Sequence, residues 1–380
     1  MVKKITVLYL CPDVSLGGSS RSLINLIVST KSEVIPIVLL PSMGEVYDVF
    51  MKMGVECIIL PYTLLHHLHP VSIKTIFKNP RGSALYNYFK TDIKCVKKIK
   101  KKFTNRKIDI VHSNFSPITI GVFLAKALHA KHVWHVREFL DMDFHYDVFI
   151  GIRRLRHLIN MADARIVISN AVAQHWHFKK SNTWIINNAI GLRQDTIYER
   201  KKEKYFLFSA YYITENKGAG RAVSAFGESN VWKDGYTLVF LGNCSDSYKE
   251  ELIEHAKVYK CEESVEFVPN QTDVKPYFAK ATAFIMASNC EALGRVTAEA
   301  MLWGCPVIAH ATGGTLDLVK HGETGWLFNT ETECANIIRN ICNESQEQII
   351  FNAQKFVVNN LVQELYGPKI LEVYNHVLHG

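Results

Sequence analysis

No two of the nine cysteines (Cys11, Cys57, Cys95, Cys244, Cys261, Cys290, Cys305, Cys334, Cys342) are spaced as Cys-x-x-Cys, and the count is odd. That removes a redox dithiol and a zinc ribbon, and no His/Cys cluster has zinc spacing. Scattered cysteines in apolar runs act as small hydrophobes, and a reduced cytosolic compartment fits them best. No apolar run reaches 18 residues, so no membrane-spanning helix is expected. The chain has no Gly-x-Gly-x-x-Gly motif, Walker lysine, internal repeat or low-complexity segment. No recognised nucleic-acid motif accompanies its positive charge, so nucleic acid is not an expected partner.

What is present is an ordinary globular composition, 48% hydrophobic and 21% charged over 380 residues, which predicts two cores rather than one. Charge is uneven. Residues 1–190 hold 26 Lys and Arg against 12 Asp and Glu (+14), and the remainder 18 against 24 (−6). The first half is therefore expected to meet something anionic, such as a membrane surface or phosphorylated ligands.

Short apolar runs alternate with helical spacing throughout. Strands are predicted at Lys4–Leu10, Val34–Leu40, Cys57–Leu60, Ile108–His112, His132–His135 and Ala164–Ile168. A second series covers Tyr205–Ser209, Thr237–Leu241, Val265–Val268, Ala283–Met286 and Pro306–Ala309. Helices are predicted between them, including Arg21–Ser29, Ile118–His129, Arg221–Ser229 and Tyr248–Tyr259. This is the βαβ pattern of parallel sheets. The apolar run of MVKKITVLYLCP stops at Pro12-Asp13 without a cleavage pattern, so it reads as a first strand rather than a signal peptide. The polar stretch 187–204 reads as a link between domains. The expected class is α/β, with two Rossmann-like doubly wound domains facing a central cleft: 1–190, 191–360, and a tail helix at 361–380 returning to the first.

Four segments carry chemistry. SLGGSSRS (15–22) comes after the first strand; Gly17 and Gly18 permit close backbone approach, and the next helix start favours anions, though a plain tight turn explains the glycines equally well. HVWHVREF (132–139) puts His135, Arg137 and Glu138 at a strand end, with His112 ending the strand before. KCVKKIKKKFTNRK (94–107), after LYNYFK (85–90), sets lysines beside an apolar face of Leu85, Tyr86, Tyr88, Phe89, Ile93, Val96, Ile99 and Phe103. That suits an anionic membrane surface, or a solvated helix covering a sheet. Asp141-Met142-Asp143 is read as a polar loop rather than a metal site.

The fourth segment, 288–319, is the most demanding. Its pattern is S-x-x-E-A-L-G-x-x-x-x-E-A-M-x-x-G-x-P-V-I-A-x-x-x-G-G, with Glu291 before a turn and Glu299 at the start of a helix-like run. A helix N-terminus attracts phosphate because its first N–H groups are unpaired and its dipole end is positive. Carboxylates on either side accept hydrogen bonds from hydroxyls.

This segment resembles the nucleotide-sugar site of retaining glycosyltransferases of the family 4 type, which have the B-type two-Rossmann fold. The match runs through Glu291, Glu299, Gly304, Pro306, Val307, Ile308, Gly313 and Gly314. HGETGWLF (321–328) and the stretch 265–288 continue it, and the segments quoted from the first half stand in family order. The resemblance implies that Glu291 lies at the sugar and Glu299 at the ribose. It places the backbone of Gly294, Arg295 and Val296 at the pyrophosphate and Asn270 in the base-binding region. Gly17 and Gly18 also lie on the donor side, and Lys217 is a cation for the leaving phosphate. His135 faces the sugar, with Arg21, His112, Arg137 and Glu138 toward the acceptor. Where the family carries an arginine before Lys217, this chain has Tyr212.

The expected function is a metal-independent, cofactor-free retaining transferase. It moves a sugar from a nucleoside-diphosphate-sugar donor to a glycan or lipid-linked glycan, in the cytoplasm or peripherally on a membrane face, in cell-surface polysaccharide synthesis. A non-catalytic nucleotide-sugar-binding partner of another transferase and a sugar-nucleotide epimerase are the alternatives.

Overall fold

The apolar runs become parallel strands in two separate sheets. The computed structural model describes residues 4–64, 67–68, 81–148 and 150–380, with backbone alone at 67–68, 81–88 and 144. The chain divides into two compact units, Met1–Ala189 with Gln363–Gly380, and Ile190–Val362.

The first unit holds β1 (Ile5–Leu10), β2 (Val34–Leu40), β3 (Glu56–Ile59), β4 (Ile110–Ser113), β5 (Lys131–Val136), β6 (Ala164–Val167) and β7 (Thr183–Ile185). Their spatial order is β3-β2-β1-β4-β5-β6-β7, parallel throughout. β4 is buried along its whole length, as a strand covered on both faces must be, although it ends in His112 and Ser113. β7 was not anticipated: three residues on the sheet edge are too short to leave a pattern.

The second unit holds β8 (Tyr205–Tyr212), β9 (Thr237–Asn243), β10 (Val265–Val268), β11 (Ala283–Met286), β12 (Val307–His310) and β13 (Trp326–Phe328). The order is β10-β9-β8-β11-β12-β13, again parallel. Each unit is thus a Rossmann-like sheet whose strand order reverses once, between β1 and β4 and between β8 and β11. In such sheets ligands bind beyond the carboxyl ends of the strands at that reversal.

Helix α1 (Gly18–Thr30) comes after β1, and α2 (Arg81–Lys102) precedes β4; α3 (Ala219–Ser229) comes after β8, and α4 (Arg295–Leu302) after β11. The last helix, α5 (Gln363–His379), puts Tyr366, Ile370, Val373 and Tyr374 into the core of the first unit. Gly367 makes this possible, because a Cβ there would lie 2.2 Å from the Ser29 carbonyl oxygen of α1.

The stretch 187–204 holds the crossing between the units, at Ala189–Ile190, and from Ile190 onward it packs on the second unit, with Lys202 Nζ donating to the Gly304 carbonyl at 2.8 Å and Ile197 N to that of Leu302. The apolar face drawn across α2 splits. Asp92, Cys95, Ile99 and Phe103 turn inward, while Phe89 and Ile93 stay exposed. The side chains of Leu85, Tyr86 and Tyr88 lie outside the described residues, as does the basic start at 1–3. Among the described residues no helix is long and apolar enough to cross a membrane.

Candidate active site

In the second unit the loop after β8 and the loop after β11 meet at the strand reversal. Their approach is backbone to backbone. Gly218 lies at φ +77°, and a Cβ on it would fall 1.9 Å from the Ala287 carbonyl oxygen. Gly313 and Gly314 press from the other side, where Cβ atoms would lie 2.4 Å from the carbonyl oxygen of Glu291 and 2.3 Å from that of Ala292. Gly314 N donates to the Glu291 carbonyl at 2.6 Å, and Asn289 N to that of Asn216 at 3.3 Å. The paired glycines of the sequence pattern therefore hold the 287–294 loop in place.

The clamped loop presents Glu291, whose carboxylate takes Lys217 Nζ at 2.8 Å. The carboxylate is mostly covered, and the ammonium is 43% exposed. Three residues on, Gly294 sits at φ +84° as the N-cap of α4 without any side-chain cap. Gly294 has no side chain with which to cap the first amides of α4. Glu299 lies within α4 rather than at its start, since the left-handed Gly294 starts the helix four residues earlier than the apolar spacing suggests. Arg295 Nε binds Glu299 Oε1 at 2.8 Å, an i,i+4 pair, and its Nη2 reaches the Ile190 carbonyl.

The first unit fills its strand reversal differently. His112 and His135 are fully buried, with ring centroids 5.4 Å apart. The Tyr374 hydroxyl of α5 hydrogen-bonds His112 Nδ1 at 2.8 Å. Arg137 is nearly buried and binds Asn114 through Nε at 3.0 Å, Asn188 through Nη1, and His135 Nδ1 through Nη2 at 3.1 Å. Burial first, and the Arg137 charge second, hold both imidazoles well below their ordinary range. They are therefore neutral. Glu138 accepts from the amides of Ser116 and Arg137, and burial pushes its carboxyl up to about 8. His112, His135, Arg137 and Glu138, expected at the sugar or toward an acceptor, thus have buried side chains in one polar network, with Tyr374 and Tyr366 of α5 against His112 and Arg137.

The glycine loop also differs from expectation. Gly17 caps α1, and a Cβ on it would lie 2.8 Å from Asp13 Oδ2. Asp13 also takes the Ser15 amide, and Glu45 takes that of Leu16. Two carboxylates thus stand at a loop read as anion-friendly. Gly18 opens α1, and Arg21 Nε donates back to the Leu16 carbonyl. Asp141 pairs with His175 at 2.9 Å while Asp143 takes the Phe139 and Leu140 amides, so the two carboxylates serve separate partners.

Comparison with known proteins bears on the second unit. Residues 193–356 match the family described as glycosyl transferases group 1. That match lies within the second unit. An uncharacterized glycosyltransferase of Haemophilus influenzae is 25% identical over 248 residues, 62% of this chain and 68% of that protein. The amylovoran biosynthesis glycosyltransferase AmsD of Erwinia amylovora is 26% identical over 214 residues, 53% of this chain and 57% of its own length. The crystal structure of HepE from Anabaena in complex with UDP superposes with a TM-score of 0.79, covering 98% of this chain and all of that one, at 18% identity. At that identity the likeness is one of fold.

Within the second unit, sequence reasoning passed over Arg221. It lies in α3, donates to the Ala287 carbonyl at 3.1 Å and pairs with Glu331 at 3.0 Å. A cavity of 270 Å³ opens beside it, lined by Gly218, Asn289 and Glu331 among others. Its position four residues after Lys217, in the first turn of α3, was the available signal. Asn270 lies on the loop after β10 and donates to the Tyr211 carbonyl at 3.2 Å. Tyr212 is 60% exposed.

Proposed function

We propose that the protein is a retaining, metal-independent glycosyltransferase of the family 4 type. It transfers a sugar from a nucleoside-diphosphate-sugar to a hydroxyl of a glycan or lipid-linked glycan during cell-surface polysaccharide synthesis. The observation that carries this reading is the Lys217–Glu291 pair beside the uncapped start of α4, at the strand reversal of the second unit. The names of the Erwinia relative and of HepE structures holding UDP and UDP-glucose support it.

The chemistry follows from charge. Breaking the anomeric C–O bond leaves positive charge on the sugar and negative charge on the departing diphosphate. The first amides of α4 and Lys217 receive the diphosphate, which draws the ammonium from Glu291. The freed carboxylate then faces the sugar, where it binds hydroxyls and stabilises oxocarbenium character. Glu299 takes the ribose hydroxyls, and Asn270 lies at the base. Helix amides and one lysine supply the charge stabilisation that a divalent ion supplies elsewhere, so no cofactor is invoked. The lysines of α2, with exposed Phe89 and Ile93, provide a seat on an anionic membrane surface at the cytoplasmic side.

The test is a thermal-shift panel of nucleoside diphosphates and their sugars, then transfer assays with the responding donor and Glu291→Ala. One nucleotide and its sugar should raise the melting temperature by mass action. The alanine variant should melt normally and lose transfer. Near-normal turnover in that variant removes Glu291 from the mechanism. Tyr212 in place of a cation favours a second reading, a donor-binding partner without activity; donor binding with no turnover on any acceptor would select it.

A further inference from the structure

We infer that Tyr211 and Tyr212 form a stacking platform for the nucleobase of the donor; this rests on the proposed transferase reading. β8 loses its register with β9 between Ser209 and Tyr212. Such a bulge re-aims the side chains beyond it. It is built in rather than frayed: Gly242 of β9, at φ +149°, leaves room where a Cβ would lie 1.8 Å from the Ala210 carbonyl oxygen. Asn270 holds the Tyr211 carbonyl from one side, and buried Ile213 donates its amide to Asn243 at 2.8 Å on the other.

The bulge turns two consecutive aromatic side chains into solvent. Tyr211 is 70% and Tyr212 60% exposed, and their rings meet edge to face with centroids 4.9 Å apart at 86°. Large aromatic rings ordinarily bury most of their area. Here a braced strand end displays two of them at the carboxyl edge where ligands bind.

Distance selects the occupant. The phosphate-suited start of α4 comes after β11, which is the neighbour of β8, and Asn270 comes after β10, two strands farther out. With strands about 4.8 Å apart, the tyrosines lie roughly one strand spacing from the phosphate position, and Asn270, which comes after a strand farther out, reaches back to the Tyr211 carbonyl. A neutral phenol adds no charge against phosphate, whereas its ring face stacks on any base. The amide of Asn270 stands beside Tyr211, where a base edge needs donors and acceptors.

The test is calorimetric titration of the full chain with UDP, GDP, ADP and inorganic pyrophosphate, using wild type, Tyr211→Ala, Tyr212→Ala and Tyr212→Phe. Each alanine variant should melt like wild type and bind the preferred nucleoside diphosphate about 5- to 100-fold more weakly. Pyrophosphate binding should be unchanged, and the phenylalanine variant should retain affinity. Wild-type affinity in both alanine variants overturns the platform and leaves the donor reading standing. So does an equal loss for pyrophosphate, which would mark the phenols as phosphate ligands. If wild type binds no nucleoside diphosphate, the donor reading falls and the platform with it.

Discussion

At the ends of β1, β4 and β5 the first unit packs His112, Asn114, His135 and Arg137 out of solvent, with Tyr374 of α5 closing the cluster. At the ends of β8 and β11 the second unit leaves Lys217 half in water over a carboxylate, beside an uncapped helix. Both sheets reverse their strand order in the same way. The difference lies in the segments that cover the strand ends: a core-forming helix in one case, and glycine-clamped loops in the other. Topology nominates a crevice; the residues after each strand decide whether it is filled.

The largest expected effect is at the clamp. Gly313→Ala forces a Cβ into backbone 2.4 Å away and places a side-chain residue at φ +54°. It should abolish donor binding in calorimetry while leaving the first unit folded; retained affinity would show that the clamp does not position Glu291. Next, Lys217→Ala should lower kcat about 100-fold, some 3 kcal/mol, by analogy with deletion of a single oxyanion donor. A change confined to KM would place Lys217 in ground-state binding alone.

The buried network predicts a pH signature for the first unit. Burial holds His112 and His135 well below 6.5 and His132 down at about 4. Their share of stability is complete above 6.5 and lost as pH falls, because only the unfolded imidazoles take protons. Glu138 acts in the opposite sense. Its folded carboxyl keeps a proton up to about 8, so its share is complete below about 4.5 and lost as pH rises. Three groups outweigh one on the acid side, and the carboxyl acts alone above 6.5. Urea midpoints should therefore peak near pH 6.5, with each unmatched proton worth about 1.4 kcal/mol per pH unit. A flat profile would mean that the network is hydrated. The smallest effect expected is that of Tyr374→Phe. It removes the buried hydrogen bonds to His112 and Tyr9 and should cost about 1–3 kcal/mol of first-unit stability, with donor affinity in the second unit unchanged.

Nearly all strands were legible because parallel sheets demand continuous apolar runs, and β10 and β11 emerge with the bounds their patterns indicate. That Glu291 and Lys217 come together was legible because close-packed glycine loops tolerate few other residues. Three features were not. The burial of His135 and Arg137 depends on α5, more than 220 residues away in sequence, which no local pattern encodes. Glu299 was set at a helix start because the left-handed turn at Gly294 leaves no apolar period. The exposure of Tyr211 and Tyr212 stems from a bulge, and aromatic residues at the end of an apolar strand otherwise read as core.

The placement of α5 sets an order of events during synthesis. The second unit is one continuous segment, Ile190–Val362, and can close as soon as it is made. The first unit is begun earlier but lacks Tyr366, Ile370 and Tyr374 until residues 363–380 emerge. Its sheet must wait with Tyr9, Leu23 and Leu26 uncovered while 173 intervening residues (190–362) are synthesised. The segment begun first is thus completed last, and this waiting surface is the one a ribosome-associated chaperone would meet.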